Sequence, residues 1–187
     1  MEINMAVEPT DDRLADNEPQ ILGKNLSELT LCYLICPQDA AKAFLGALMI
    51  TDFRVRPFHY SYVSPVRPTT FQKILFGPTL NSHVKIDVIA EKLLKNIPRV
   101  PDVLFVDDME ILAVKQIIKK PTACLKKSTS QDAEPNRLSI LDYKADSDED
   151  QEIIGQIIAH LENLIDLVEP FSRMRQALKE AIKTQET

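Results

Sequence analysis

The chain has 187 residues, 44% of them apolar, enough for one domain with a sizeable core and polar appendages. Only 4 glycines beside 12 prolines argue against a sandwich of many tight turns, and 6% aromatics without Trp make the core aliphatic. The formal charge of −6 opposes phosphate-bearing partners and anionic membranes as a whole-chain field. That charge is unevenly spread. Residues 1–30 hold seven acids (Glu2, Glu8, Asp11, Asp12, Asp16, Glu18, Glu28) against Arg13 and Lys24, and 146–152 adds a second acidic run. Residues 53–86 hold five basic side chains (Arg54, Arg56, Arg67, Lys73, Lys85) and no Asp or Glu.

In chain order, residues 1–24 are acidic, polar and interrupted by Pro9 and Pro19, which predicts a mobile arm. No basic start, apolar leader or long apolar run is present, so a cytoplasmic protein without a membrane span is expected. The stretch SELTLCYLIC reads as a strand over 29–36, with a helix still open. PQDAAKAF suggests a short helical turn. GALMIT (46–51), a polar link (52–56) and PFHYSYV (57–63) form an antiparallel hairpin. Thr69 or Thr70 then caps a helix, FQKILF, ended by Gly77-Pro78.

Apolar Leu80, Val84, Val88, Ile89, Leu93, Leu94 and Ile97 recur at near-helical spacing, predicting an amphipathic helix over 79–97. DVLFV (102–106) reads as a short buried strand, MEILAVKQIIKK (109–120) as a helix, and TACLKK and RLSILDYK as further strands. A helix from about 148 follows, with Ile154, Ile157, Leu161, Leu164 and Val168 at alternating spacings of three and four, interrupted near Pro170. The expected fold class is α/β or α+β. It comprises a core over 26–145 with a mixed sheet of four to five strands, and a helical segment over 148–185 that packs on the core or on a partner.

The chemistry-bearing residues fall into several groups. Arg54, Arg56, Arg67 and Lys73 with interleaved aromatics make an anion- or nucleic-acid-binding surface, since guanidinium forks onto phosphate or carboxylate and aromatic faces stack on bases. Arg67 also precedes a predicted helix start, whose free N–H groups favour an anion. Asp102, followed later by Asp142-Tyr-Lys144, imitates a metal-dependent nuclease, where two acids hold Mg²⁺ and a lysine positions the attacking water. Asp107, Asp108 and Glu110 lie at a strand's carboxyl end, where helix capping explains them most simply.

Cys32, Cys36 and Cys124 show no metal-ligand spacing with His59, His83 and His160, and fit a reducing compartment. Cys32 and Cys36 read as small buried residues, and His59 and His160 have no visible nucleophile partner. There is no G-x-G-x-x-G, P-loop or H-E-x-x-H motif.

The order hairpin, helix, strand, helix, strand resembles the cytidine-deaminase-like fold. There the two helices open on zinc ligands, whereas here their starts read SPVRPTTFQ and VDDMEILAV, so the resemblance implies no zinc chemistry. GALMITDFRVRPFHYSYVSPVRPTTFQKILFGPTL (46–80) is similar to an uncharacterised bacterial family with a strand, an Arg-Pro turn, a second strand and a Q-x-x-L-x-G-x-T-L segment. It implies no reaction. The reading that follows is a non-enzymatic interaction or assembly subunit without cofactor, whose basic hairpin surface meets an acidic protein or a nucleic acid. A protein partner or self-association through the 154–168 stripe is expected with it. The competing reading is a metal-dependent nuclease or other hydrolase.

Overall fold

The computed structural model describes residues 2–4, 20–127 and 141–185. Seven strands form one mixed sheet in the order β1-β6-β5-β4-β7-β8-β9. They are β1 (Glu2–Asn4), β4 (Thr30–Ile35), β5 (Phe44–Asp52), β6 (Pro57–Val66), β7 (Val103–Val106), β8 (Thr122–Lys127) and β9 (Leu141–Ala145), while β2 (Gln20–Ile21) and β3 (Lys24–Asn25) make a separate small hairpin. The pairs β4–β7 and β7–β8 are parallel and the other pairs of the large sheet are antiparallel. The expected hairpin is β5–β6.

β4 sits at the centre and is buried along its whole length. Leu31, Tyr33 and Ile35 enter one core, while Cys32 and Leu34 enter the other. A strand covered on both faces carries no polar alternation, which is why its residues read as strand or helix from sequence. One face is covered by α5 (Asp148–Leu161) and α6 (Glu169–Gln185), through Ile154, Ile157, Leu161, Phe171, Met174 and Leu178. The other is covered by the helical run over 80–95 and the short helical turns over 109–118.

The 80–95 run is not a uniform α-helix. It passes from α2 (Leu80–Ser82) through a wider π-type segment, His83–Ala90, into α3 (Glu91–Lys95), and Glu91 N–H donates to the Ile86 carbonyl five residues back. Its Ile89, fully buried, meets β5 at Gly46, where a β-carbon would lie 2.1 Å from Ile89 Cγ2 and 3.3 Å from Val63 Cγ2. Gly46→Ala therefore forces the helix off the sheet. The expected loss is about 1–3 kcal/mol, read as a lower urea midpoint with unchanged slope.

Several expectations change. Within the predicted acidic arm, residues 2–4 pair with β6 and residues 20–25 form the small hairpin, while 5–19 lie outside the described residues, as does 137–140 of the last predicted strand. PQDAAKAF forms no helical turn: Gln38 bridges to Phe44, and the Asp39 carboxylate accepts from Ala43 N–H at 2.8 Å. The helix expected over 109–120 is a 3₁₀ segment, Met109–Val114, followed by one α turn, α4 (Lys115–Ile118), that ends at Lys119 with φ 53°. The 3₁₀ winding aligns Ile111 with Val114, both fully buried.

The helical segment is interrupted near Pro170, over 162–168, but not by Pro170 itself. It stands in the first turn of α6, where no N–H is required. The break lies before it, and the Asp166 carboxylate accepts from Val168 N–H (2.9 Å) and Glu169 N–H (3.1 Å) as α6 begins.

Candidate functional site

The turn between β5 and β6 is built by one carboxylate. Asp52 accepts from Arg54 N–H (2.9 Å), Arg56 N–H (2.9 Å) and Arg56 Nε (2.8 Å). This holds Val55 at φ 62°, a conformation costly for a β-branched residue, with its side chain in the core. Arg173 of α6 donates to the Val55 carbonyl at 2.9 Å and secures the turn from below. Arg56 is thus engaged by Asp52, while Arg54 lies over the Phe53 ring at 5.1 Å. Both serve the turn itself.

Arg67 and Lys73 are elsewhere. They follow the far end of β6, whose ten residues span about 30 Å, so the four predicted anion-binding residues form two groups rather than one surface. The reason is register: Arg56 and Arg67 flank opposite ends of the same extended strand. The helix start after Arg67 is capped from within the chain. Thr69 Oγ1 accepts from Gln72 N–H (3.2 Å) and Gln72 Oε1 accepts from Thr69 N–H (2.8 Å), a reciprocal capping box.

That helix, α1 (Thr70–Phe76), has no buried residue. Phe71, Ile74 and Leu75 are 72%, 78% and 67% exposed. Their i, i+3, i+4 spacing makes one stripe of the kind that ordinarily faces a core. Here it faces solvent, while Lys73, also exposed, lies on the other side of the same helix. Phe76 stacks on His83 with ring centroids 4.2 Å apart, and Gly77, at φ 49°, turns the chain away. The stripe is legible in sequence; its orientation is not, because FQKILF carries as many apolar residues as a core helix.

The carboxyl ends of β7 and β8 border a cleft of about 540 Å³, lined by Asp107, Lys126, Asp166, Phe171, Ser172 and Arg175 among others. Burial pushes the Asp107 carboxyl up from its ordinary value, and the Arg175 guanidinium, paired with it, pulls the other way. Lys127 pairs with Asp166 at 3.1 Å. Beside the cleft, Lys85 Nζ donates to Asp108 and to Glu110, each at 2.6 Å. Asp108 caps the 3₁₀ segment by accepting from Glu110 N–H at 3.0 Å. Burial acts to raise the Asp108 carboxyl, but the bonds from Lys85 and Glu110 N–H hold it below its ordinary range. Capping is thus the role observed for Asp108, tying β7 to the 80–95 run. The partners Lys85 and Arg175 stand far away in sequence and have no local signal.

Asp102 and Asp142 are not brought together. Asp102 stands at the amino end of β7, accepting from Thr30 N–H (3.0 Å), Thr30 Oγ1 (2.9 Å) and Lys24 Nζ (2.6 Å). In the parallel register Leu104 faces Thr122, so Asp102 lies level with position 120. Asp142 faces Lys126, six residues further along β8, and Lys144 faces Cys124. The carboxylates are about 20 Å apart along the strands, far beyond a shared Mg²⁺ with oxygen–metal distances of about 2.0–2.6 Å. Among the described residues no three His, Cys, Asp or Glu side chains converge as a metal set.

The predicted partner stripe is also redistributed. Ile154, Ile157 and Leu161 are fully buried against the chain's own sheet and Val168 packs on the same core, whereas Leu164 lies beyond the end of α5 and is 67% exposed. Cys32 and Cys36 are buried free thiols, as expected, and Cys124 is a third. Burial pushes the Cys36 thiol up to about 12, which removes its thiolate at neutral pH. His59 is buried in the sheet, and His160 Nδ1 lies 2.7 Å from the Gln156 carbonyl. Among the described residues no helix is long and apolar enough to cross a membrane.

No family model matches the chain, and no curated protein matches it. Among solved structures it is similar to endonuclease V of Ciona intestinalis, determined in complex with a 23mer DNA containing an inosine followed by a ribo-adenosine. The identity is 10% over 68% of this chain and 53% of that one, with a TM-score of 0.32. This chain spans about half the length of that protein, and at that score the likeness specifies neither reaction nor ligand.

Proposed function

We propose that this chain is a non-enzymatic interaction subunit that receives an acidic protein partner on the Arg67–Lys73 side of its hairpin. The observation that carries this reading is α1: three large apolar side chains exposed on one stripe, in a stretch that also exposes Arg67 and Lys73. Residues 53–86 contain no acid, so Arg67 and Lys73 are not neutralised from within their own segment. A nucleic acid is the weaker fit. Its backbone calls for a continuous row of cations, whereas Arg54 and Arg56 are turned to the other end of β6, and Ile74 and Leu75 offer no face for base stacking.

The test is capture on the immobilised full chain, comparing wild type with Arg67→Glu/Lys73→Glu. An acidic protein is expected to be retained by wild type, released as salt screens the contact, and not retained by the double variant, whose melting temperature stays unchanged because both positions are exposed. Equal retention by both forms overturns the reading. So does retention of nothing but nuclease-digestible nucleic acid.

A further inference from the structure

We infer that the outer edge of β9 is a two-fold self-association surface: a second copy of this chain pairs its own β9 antiparallel there, with Asp142 of each copy facing Lys144 of the other. Among the described residues β9 ends the sheet and pairs on one side only, with β8. The Ala145 N–H fixes which way the backbone groups point, because it donates to Gln151 Oε1 at 3.0 Å instead of to β8. Backbone groups alternate along a strand with a period of two, so the N–H and carbonyl of Tyr143 turn to the same outer side. Gln151 closes the edge at Ala145 and leaves it open at Tyr143.

A two-fold contact centred on Tyr143 satisfies those groups, each Tyr143 N–H donating to the other copy's Tyr143 carbonyl. That centre dictates the register. Position 142 of one copy stands opposite position 144 of the other, and the symmetry makes the pairing occur twice. Asp142 and Lys144 are both exposed and, two apart on a strand, share one face. Each acid therefore meets a lysine and each lysine an acid. Within the chain the match is incomplete: Asp142 faces Lys126 across the β8–β9 pair, but Lys144 faces Cys124 and has no acid opposite it. A reversed copy of the same strand supplies that acid, and this charge complementarity selects a second copy as the occupant.

The edge is also held ready. The Tyr143 side chain lies against α5, its hydroxyl donating to the Gln151 carbonyl at 3.5 Å, and Gly155 makes room for it, since a β-carbon there would stand 2.7 Å from Tyr143 Oη. Little further ordering is needed on pairing. The contact joins two sheets edge to edge at β9, five strand positions from β6, which leads into α1.

The experiment measures sedimentation of the full chain up to the millimolar range as wild type, Asp142→Lys, Lys144→Asp and an equimolar mixture of the two variants. Wild type is expected to show a monomer–dimer equilibrium. Each variant alone sets like charges against each other and should dimerise about tenfold more weakly or worse. The mixture should recover dimer, because positions 142 and 144 of the two variants are opposite in sign. Beside it, Asp142→Cys mixed with Lys144→Cys should oxidise to a linked heterodimer. Facing Cα atoms of a non-hydrogen-bonded antiparallel pair stand about 4.5 Å apart, within reach of a disulfide. The three native thiols are buried, and this pair brings in no charge, so the register is read even if a charge variant melts early.

A wild type that stays monomeric, or that forms only species larger than a dimer, overturns the inference. So do charge variants that dimerise as wild type does, a mixture that fails to recover dimer, or disulfides that join like positions and not 142 to 144.

Discussion

Ile157→Glu is expected to unfold the protein rather than to dissociate an assembly. Ile157 is fully exposed on no side: it lies within the core that α5 and α6 form with the sheet, among Ile154, Leu161, Phe171 and Met174. A carboxylate there is set among these apolar side chains. Folding must either desolvate the charge or protonate it, and it loses the transfer free energy of the isoleucine as well. The expected destabilisation is about 5 kcal/mol, comparable to the whole stability of a modest domain. Circular dichroism should show lost cooperative melting, and size exclusion an expanded or aggregated species. Leu164→Glu supplies the contrast. It stands 67% exposed beyond the end of α5, so its melting temperature should stay close to wild type. A folded Ile157→Glu with a native melt would mean that α5 is held by something other than this core.

These two positions also show what periodicity can resolve. Ile154, Ile157, Leu161, Leu164 and Val168 form one regular series in the sequence, and the structure divides it because the helix stops at Leu161. After the stop, Leu164 N–H and Ile165 N–H both turn back onto the Leu161 carbonyl and Asp166 opens the next helix by accepting from Val168 and Glu169 N–H, local bonds that are invisible in an apolar count. The β5–β6 hairpin was legible for the opposite reason. Its alternation holds where Tyr60 and Tyr62 enter one core and Val63 the other, and it fails at Phe58, which packs on the Val63 side where the β5–β6 register shifts. The π-type segment had no signature in the apolar spacing, and the close packing of its Ile89 on the bare backbone of Gly46 joins residues distant in sequence. For the candidate surface, residue types were readable and their placement was not. Arg54, Arg56, Arg67 and Lys73 share a sequence neighbourhood, but ten residues of strand lie between the two pairs.

Asp102→Ala is expected to cost about 3 kcal/mol, and the cost should depend on pH. The carboxylate is 6% exposed and joins three elements at the amino ends of the parallel strands: it receives the first N–H of β4 and the hydroxyl of Thr30, and it pairs with Lys24 of β3. Removing it leaves the buried Thr30 N–H without its acceptor, which outweighs the loss of the ion pair. Lys24 is 38% exposed, so solvent screens its share and places the total at the lower end for a broken buried pair. Burial acts to raise the carboxyl's pKa, but the bonds from Lys24 and Thr30 together outweigh it and hold the group below its ordinary value of 3.8. The unfolded chain therefore takes up the proton first as acid is added. The stabilisation is fully present above pH 3.8 and is lost as the pH falls through the lower folded-state value. Urea melts of wild type and Asp102→Ala should differ by a constant amount from neutral pH down to about 5, and the gap should narrow below 3.8. A gap that stays constant into that acid range would mean that shape rather than charge at position 102 holds the strand starts together. A gap near zero at neutral pH would show that Thr30 finds another acceptor.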